Sequence, residues 1–246
     1  MSDPIPVAVA VVYALTDEVR PLLKEASIRT KIITKSAILQ FAQFRGVDVV
    51  FCRTGVGIAN AHEAAERLLE HAKPGIVLSI GCGGATHPDL KTGDLVLPPE
   101  IRSETPTDRF LPDEGERKNM EVLIREESIP YRSGPLLTAW KMAGKTAKEE
   151  LGSKGVACVD METAAVAAIA EKAGVPLLAL RAIFDSLEEE YPSDEPYDED
   201  HPISYLLRNP KVILKIPRYA KASALCRKNL FRVVSRFIDA WVRDER

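Results

Sequence analysis

This chain of 246 residues lacks the features that mark several common protein classes. Its four cysteines, at positions 52, 82, 158 and 226, share no CxxC spacing, so they predict neither a zinc site nor a disulfide framework. No apolar run reaches the roughly 18 to 20 residues that a membrane-spanning helix requires. The formal net charge of -3 gives no global reason to expect nucleic-acid binding. Since no signal peptide precedes the first strand-like segment, we expect a soluble, cytoplasmic protein.

The glycine-rich motifs of the large nucleotide-binding folds are missing as well. The stretch "GCGG" at residues 81–84 does not complete GxGxxG, and no P-loop sequence occurs. These absences disfavour a Rossmann-type oxidoreductase and a P-loop NTPase. "GCGG" nevertheless follows a buried strand pattern, and open α/β sheets bind ligands at that end of their strands. A nucleophilic role for Cys82 would need a base in reach, so we interpret Cys82 as a small residue that lines a pocket beside Gly81.

What is present is an alternation of strand-like and helix-like segments. Residues 5–15 are continuously apolar, which is typical of a strand covered on both faces. Two apolar segments flank Arg45 and Gly46, a hairpin signal. The helix pattern at 162–173 and the strand pattern at 175–184 complete a βαβ order. This order predicts an α/β fold with three α/β/α layers.

The composition changes near residue 190, and we therefore divide the chain into three parts. Residues 1–190 form the predicted α/β domain, and the acidic, proline-rich residues 191–202 form a linker or flap. Residues 203–246 form a basic, amphipathic, helical extension that Pro210 and Pro217 divide into short helices. This extension has two interpretations: a helix packed on the domain with a solvated basic face, or a surface that contacts anionic lipid.

Several carboxylates stand at the ends of apolar segments, where burial is costly unless they are paired or protonated. Asp160 and Glu162 precede an alanine-rich helix, and Asp185 ends the next strand. Glu18 lies in the first turn of a helix that Thr16 is predicted to cap, where the helix dipole favours its ionised form. Taken alone, Glu18 is equally well an exposed helix residue, and Asp185 the cap of the next segment.

The glycine turn "TGVG" at residues 54–57 precedes a helix. The backbone N–H groups of Thr54 and Gly55 are therefore candidates for holding an anion, although the glycines serve equally well as a plain tight turn.

These segments together resemble a known family. "ALTDEV", "TGVGIANA", "SIGCGGATHPDLKTGDLV", "VDMETAAVA" and "VPLLALRAIFD" occur in the order, and near the spacing, of the motifs of the nucleoside phosphorylase/nucleosidase superfamily. The resemblance covers roughly residues 5 to 186 and is greatest to methylthioadenosine/S-adenosylhomocysteine nucleosidases. It implies a central mixed sheet. The basic tail also resembles that of hopanoid-associated phosphorylases, a subgroup linked to removal of adenine from an adenosyl-hopane lipid.

The resemblance implies a role for each carboxylate in cleaving the N-glycosidic bond of a purine nucleoside. Asp185 would donate a proton to purine N7, for which an apolar site must keep it protonated. Glu162 would accept hydrogen bonds from the ribose hydroxyls, with Met161 packed under the ribose. Thr54 and Gly55 would lie in the region that holds an anion or the ribosyl group. Glu18 would activate water. Trp140 lies near the position of an aromatic residue that stacks on the purine, and the alternative for it is core packing.

Two departures from the family pattern leave the contact with the base and the nucleophile open, the first at Phe184 and the second at Ser79. Phe184 stands where the family has a small polar residue beside the purine-binding aspartate. Ser79 stands where phosphorylases of this fold place a phosphate-binding arginine, although Arg53, Arg45 or a neighbouring subunit could supply phosphate contacts. Water and phosphate both remain candidates.

We expect no metal and no cofactor other than phosphate as a co-substrate. The family's sites are usually completed across a subunit interface, so we expect a homo-oligomer. A nucleoside-binding protein without chemistry is the alternative to an enzyme, and a soluble methylthioadenosine-type nucleoside is the alternative to a lipid-linked substrate.

Overall fold

The computed structural model of the chain describes residues 3–189 and 197–244. Its strands are β1 (Ile5–Tyr13), β2 (Ser27–Ile33), β3 (Ile38–Phe44), β4 (Val47–Arg53), β5 (Ala72–Ala85), β6 (Leu95–Val96), β7 (Ile101–Ser103), β8 (Arg109–Phe110), β9 (Tyr131–Arg132), β10 (Leu136–Thr138), β11 (Cys158–Asp160) and β12 (Leu177–Asp185). Its helices are α1 (Thr16–Glu25), α2 (Ile58–His71), α3 (Glu114–Glu126), α4 (Lys145–Ser153), α5 (Thr163–Lys172), α6 (Pro202–Arg208), α7 (Pro210–Ile213) and α8 (Ile216–Asp244).

The strands form one mixed sheet in the order β2-β3-β4-β1-β5-β11-β10-β7-β8, with β12 also paired to β5. β1 runs parallel to both β4 and β5, and β12 runs parallel to β5. β11 meets the last residues of β5 antiparallel. The carboxyl ends of β1, β4, β5 and β12 therefore lie at one edge of the sheet, and the beginning of α5 follows β11 toward the same place.

Helices cover both faces of this sheet, which confirms the predicted α/β fold with a mixed central sheet. Val7 and Val12 of β1 pack on the face that α2 and α5 cover. Val9, Val11 and Tyr13 pack on the opposite face, with α1, α3 and α8. Because β1 is buried on both faces, its sequence is apolar without alternation.

The β3–β4 hairpin has the predicted turn. Arg45 and Gly46 both adopt positive φ angles, 48° and 89°, as the two central residues of a type I′ turn require. The strand β2, which pairs with β3 at the sheet edge, was not predicted. Its residues are almost all exposed, so they lack the apolar alternation that marks a half-buried strand.

The C-terminal segment forms a long helix that is part of the core. Pro210 begins α7, and Pro217 lies in the first turn of α8, where proline is tolerated, so a helix starts at each of the two prolines. The prediction of short helices is wrong for α8, which runs over 29 residues. Cys226, Leu230 and Phe237 on α8 are buried against the sheet. The packed helix is thus the interpretation that describes α8, and the division of the chain at residues 190 and 202 stays a prediction.

Candidate active site

The carboxyl ends of β1 and β5 hold Glu18 in a small cavity. Ala14 and Leu15 donate their backbone N–H groups to Glu18 Oε2 at 3.0 and 2.9 Å. The N–H of Cys82 donates to Oε1 at 2.7 Å. Leu15, rather than the predicted Thr16, is the residue before α1, and the Glu18 side chain caps the helix in place of a threonine hydroxyl. Glu18 is only 9% exposed.

Burial dominates the electrostatics of Glu18. It raises the pKa of this carboxyl group above its ordinary value, while the three N–H donors and Arg181 act in the opposite direction. The sequence-based expectation, that the helix dipole keeps Glu18 ionised, therefore omitted the larger effect. A carboxyl group with a raised pKa has more affinity for a proton, as a general base that works near neutral pH requires.

Gly81 makes the close approach of Glu18 possible. A Cβ atom at position 81 would lie 2.6 Å from Glu18 Oε1, a distance that real side chains do not tolerate. Gly81 and Cys82 both line the cavity, as predicted from "GCGG". The neighbouring Cys226 thiol and burial raise the pKa of the Cys82 thiol well above its ordinary value, which argues against a nucleophilic cysteine.

Glu162 reaches the same cavity from the residue that precedes α5. Its Oε1 accepts the N–H of Gly57 at 2.8 Å, and its Oε2 accepts the N–H of Met161 at 3.3 Å. Burial is the main cause that raises the pKa of Glu162 to about 8, and the negative charges of Asp160 and Glu18 act in the same direction. The raised pKa favours the protonated form of Glu162, and a protonated carboxyl group can donate one hydrogen bond as well as accept others.

The group held at the glycine turn is the Glu162 carboxyl group itself, which accepts the N–H of Gly57. Thr54 donates its backbone N–H to Tyr13 O at 2.9 Å, and Gly55 donates its own to Ala14 O at 3.2 Å. The prediction that these two N–H groups bind an external anion is therefore wrong, because both are already bonded to carbonyl oxygens. Thr54 remains a residue that lines the cavity.

Asp160 has a structural partner. Arg181 donates to Asp160 Oδ2 from Nε at 3.0 Å, and Thr138 donates to Oδ1 at 2.6 Å. The N–H of Thr163, the first residue of α5, also bonds to Oδ2 at 3.1 Å. Arg181 in turn donates to the carbonyl oxygen and the hydroxyl of Ser79, at 2.9 and 3.0 Å. This buried ion pair fixes the start of α5 and so the position of Glu162.

Asp185 lies at the same edge, further along β5. Asp185 pairs with Gly84, which lies three residues beyond Gly81 in β5. At about 3.3 Å per strand residue, the offset along the strand between Gly81, at the Glu18 end of the cavity, and Gly84 is roughly 10 Å. The apolar environment predicted for Asp185 is incomplete, because Lys148 of α4 forms an ion pair with its Oδ2 atom. Burial raises the pKa of Asp185, and the Lys148 ammonium opposes that shift.

Met161 and Trp140 flank this edge. Thr138 at the end of β10 pairs with Asp160 at the end of the parallel strand β11. Trp140 and Met161, which follow these two residues in the chain, therefore lie at the same end of the two strands. Trp140 is 65% exposed, so the alternative that it packs in the core is excluded, and its backbone N–H donates to Glu104 at 3.1 Å. Met161 is half-buried. Their contacts with a purine and a ribose stay predictions.

Two features of the site escaped the sequence analysis. Lys148 is the buried residue of α4, and the polar sequence around it carries no signal that marks this face of the helix as the inward one. Residues 191–196 of the predicted linker lie outside the described part of the chain, but Glu199 and Asp200 are not free in solvent. Both pair with Arg53, at 3.3 and 2.9 Å, and Glu199 also accepts the backbone N–H of Thr16 at 2.9 Å.

A mixed sheet covered by helices, with carboxylates gathered at the ends of its parallel strands, is the nucleoside phosphorylase-like arrangement. The chain belongs to the phosphorylase superfamily, whose family profile matches residues 8–204. It is similar to the 5′-methylthioadenosine/S-adenosylhomocysteine nucleosidase of Haemophilus influenzae (strain PittEE), with 25% identity over 195 residues, 72% of this chain and 85% of that protein. The protein of the same name from Exiguobacterium sp. (strain ATCC BAA-1283 / AT1b) is 27% identical over 203 residues, 74% of this chain and 86% of the relative.

Solved structures share the fold. The 5′-methylthioadenosine/S-adenosylhomocysteine nucleosidase of Neisseria meningitidis, in complex with methylthio-immucillin-A, superposes with a TM-score of 0.72 and 21% identity, covering 93% of this chain and 98% of that one. Futalosine hydrolase of Helicobacter pylori strain 26695 gives a TM-score of 0.72 at 19% identity, with 94% and 98% covered.

Proposed function

We propose that this chain is a nucleosidase that cleaves the N-glycosidic bond of a 5′-substituted adenosine by attack of water. The observation that carries the proposal is the shared edge of the sheet, where Glu18 and Glu162 line one cavity and Asp185 of β12 pairs with Gly84, three residues beyond the Gly81 that lines that cavity. Such cleavage needs one group to activate the nucleophile, one to hold the sugar and one to protonate the departing base. The names of the similar proteins from Haemophilus influenzae and Exiguobacterium support an adenine nucleoside as the substrate.

Glu18 has the geometry of a base for water. An ionised carboxylate offers about four acceptor sites, and backbone N–H groups occupy three of those on Glu18. The remaining site can take a proton from a water molecule in the cavity. Those three hydrogen bonds also fix the side chain, so little reorganisation is needed when the water attacks.

The arrangement of cations argues against phosphate as the nucleophile. Arg181 is bound to Asp160, and Arg53 is bound to Glu199 and Asp200. Arg45, which the sequence left open as a phosphate contact, forms ion pairs with other residues away from the cavity. These partners are Glu25 and Asp239. Arg53 and Arg45, the two arginines considered for phosphate, and Arg181 beside the cavity thus already have carboxylate partners within the chain.

The test is the release of free adenine from 5′-methylthioadenosine, S-adenosylhomocysteine and adenosine, each assayed with and without phosphate. We expect adenine release from at least one of them, at a rate that phosphate leaves unchanged within about twofold. A rate that depends on phosphate would show phosphorolysis, and no release from any of the three would contradict the proposal.

A lipid-linked adenosine is the second candidate substrate, and an exposed apolar surface favours it. Leu207 and Leu214 are 77% and 87% exposed, and Ile213 and Ile216 are also exposed on the same stretch of α6 to α8. We call these four residues the apolar patch. Further along α8 the ring of Tyr219 packs 5.6 Å from that of Phe184, next to Asp185. Ile216 of the patch therefore lies about one helical turn from a residue that packs beside the site.

The rest of α8 is less suited to binding anionic lipid, because its arginines already pair with acidic residues of the domain. Arg227 pairs with Asp17 at 2.7 Å, and Arg232 and Arg236 pair with acidic residues at the end of α3. Among residues 3–189 and 197–244, no helix has the length and the apolar character needed to cross a membrane. Any contact with a bilayer would accordingly involve the apolar patch and the basic residues beside it, such as Lys211.

We predict that the wild-type protein sediments with vesicles of anionic phospholipid at low salt, and that Leu207→Ser/Leu214→Ser weakens this binding at least about tenfold. Burying a leucine is worth about 1.5 to 3 kcal/mol, which sets the expected size. Val122→Ser, at a 54% exposed apolar position on α3, is the control and should bind as wild type does. Cleavage of soluble 5′-methylthioadenosine should be unaffected by either change. Failure of the wild type to bind would leave the soluble nucleoside as the substrate.

A further inference from the structure

The helix α4 carries one charged side chain into the interior of the protein. Lys148 is 1% exposed, while Lys145 on the same helix lies nearer the surface and forms an ion pair with Glu188. Burying an ammonium is costly unless it is paired and hydrogen-bonded, so a buried lysine in this fold needs a specific partner.

That partner is Asp185. Lys148 Nζ contacts Asp185 Oδ2 and also donates to the carbonyl oxygens of Ser186 and Glu189, both at 3.2 Å. Gly84 of β5 makes room for the pair, since a Cβ atom there would lie 3.1 Å from Lys148 Cε and 3.2 Å from Asp185 Oδ2. Three elements, α4, β5 and β12, thus converge on one ion pair.

The two side chains differ in their access to a ligand. The Asp185 side chain is 23% exposed, whereas that of Lys148 is 2% exposed. A nucleoside could therefore touch Asp185, but Lys148 could act on it only through Asp185.

We propose that Lys148 is a positioning residue that fixes the Asp185 carboxyl group and stabilises its charged form when the proton leaves for the purine. This inference rests on the proposed function. In the step concerned, the bond from C1′ to N9 breaks and its electron pair passes into the purine ring. The Asp185 O–H bond breaks and a bond from N7 to that hydrogen forms. The Asp185 carboxylate is then left opposite the ammonium of Lys148, while water adds to C1′ and gives up its proton to Glu18.

Burial and Lys148 act on Asp185 in opposite directions. Burial raises the pKa of Asp185, which lets the group hold a proton before the reaction, and Lys148 lowers it, which lets the proton go. Arg218 of α8 also lowers the pKa of Asp185, and the Tyr219 hydroxyl of α8 lies close enough to interact with it. Arg218 itself pairs with Glu189. Of these charged groups, Lys148 is the one whose ion pair with Asp185 is a direct contact.

The experiment compares two substrates in Lys148→Gln, which removes the charge but keeps an N–H donor for the two carbonyls. Lys145→Gln is the matched control on the same helix. With 5′-methylthioadenosine, whose leaving group needs a proton, we expect Lys148→Gln to lose about 10²-fold or more in kcat. With 4-nitrophenyl riboside, whose leaving group needs none, we expect a loss below about tenfold. Activity needs protonated Asp185, and the loss of the Lys148 charge raises the pKa of Asp185. The high-pH limb of the kcat profile of Lys148→Gln should therefore move up by about 1 to 3 pH units.

Equal losses with both substrates, or an unmoved limb, would show that Lys148 is merely structural and would overturn the inference. Lys148→Arg keeps a cation, so it should hold the ratio of the two rates within a few-fold of wild type. If Lys148→Gln does not fold, a change of more than about tenfold in that ratio for Lys148→Arg overturns the inference instead. Absence of adenine release by the wild type is a different result and contradicts the proposed function.

Discussion

Asp185→Asn should release adenine about 10² to 10⁴ times more slowly than the wild type, because an amide cannot pass a proton to purine N7. The change keeps the shape of the side chain, so binding of the nucleoside should change far less than kcat. The measurement is the steady-state rate of adenine release from 5′-methylthioadenosine. A rate within a few-fold of wild type would show that Asp185 is not the acid.

The same substitution has an effect on stability that must be measured separately. It removes the charged partner of Lys148, and breaking one side of a buried ion pair typically costs about 3 to 5 kcal/mol. The melting temperature should therefore fall, and the activity assay should run well below it. Asp89→Asn is a suitable control because Asp89 pairs with Arg132 at the surface, and it should change neither activity nor stability appreciably.

Glu18→Gln should lower kcat by a similar factor, about 10² to 10⁴, since glutamine cannot accept a proton from water. The substitution also disturbs the geometry. Ala14, Leu15 and Cys82 all direct N–H groups at the carboxylate, and the NH₂ group of glutamine would face at least one of these donors. Stopped-flow or steady-state assays of adenine release would measure the loss.

A glutamate at the other end of the same helix provides the control for Glu18. Glu25 pairs with Arg45 at 2.9 Å and is 42% exposed, so Glu25→Gln should keep nearly full activity. If Glu18→Gln retained activity like Glu25→Gln, the cavity carboxylate would have no role in activating water, and another base would have to be sought.

The sequence was informative where one physical effect dominates a segment. The continuous apolar run of β1 required a strand covered on both faces, and the positive φ angles at Arg45 and Gly46 follow from the short connection between β3 and β4. Gly81 was predicted to line a pocket because it lies in the glycines that end a buried strand pattern, and it lines the cavity that holds Glu18. Each of these inferences depends on neighbours in the chain.

What the sequence did not reveal depends on contacts between distant residues. Lys148 and Asp185 are 37 residues apart, and nothing in the polar stretch around Lys148 shows which face of α4 is buried. Glu199 meets Arg53 across 146 residues, so an acidic segment that looks like a solvated linker is partly bound to the domain. The pKa of Glu162 likewise depends on Asp160 and Glu18 together, and so on the fold that places three carboxylates at one edge.

Cleavage of 5′-methylthioadenosine in heavy-oxygen water, with phosphate present, tests the central claim most directly. We predict free adenine and a free pentose that carries one heavy oxygen atom at C1′, because water activated by Glu18 is the nucleophile. A pentose 1-phosphate as the product would contradict hydrolysis, and intact nucleoside after prolonged incubation with well-folded protein would contradict the assignment of the site as a nucleosidase.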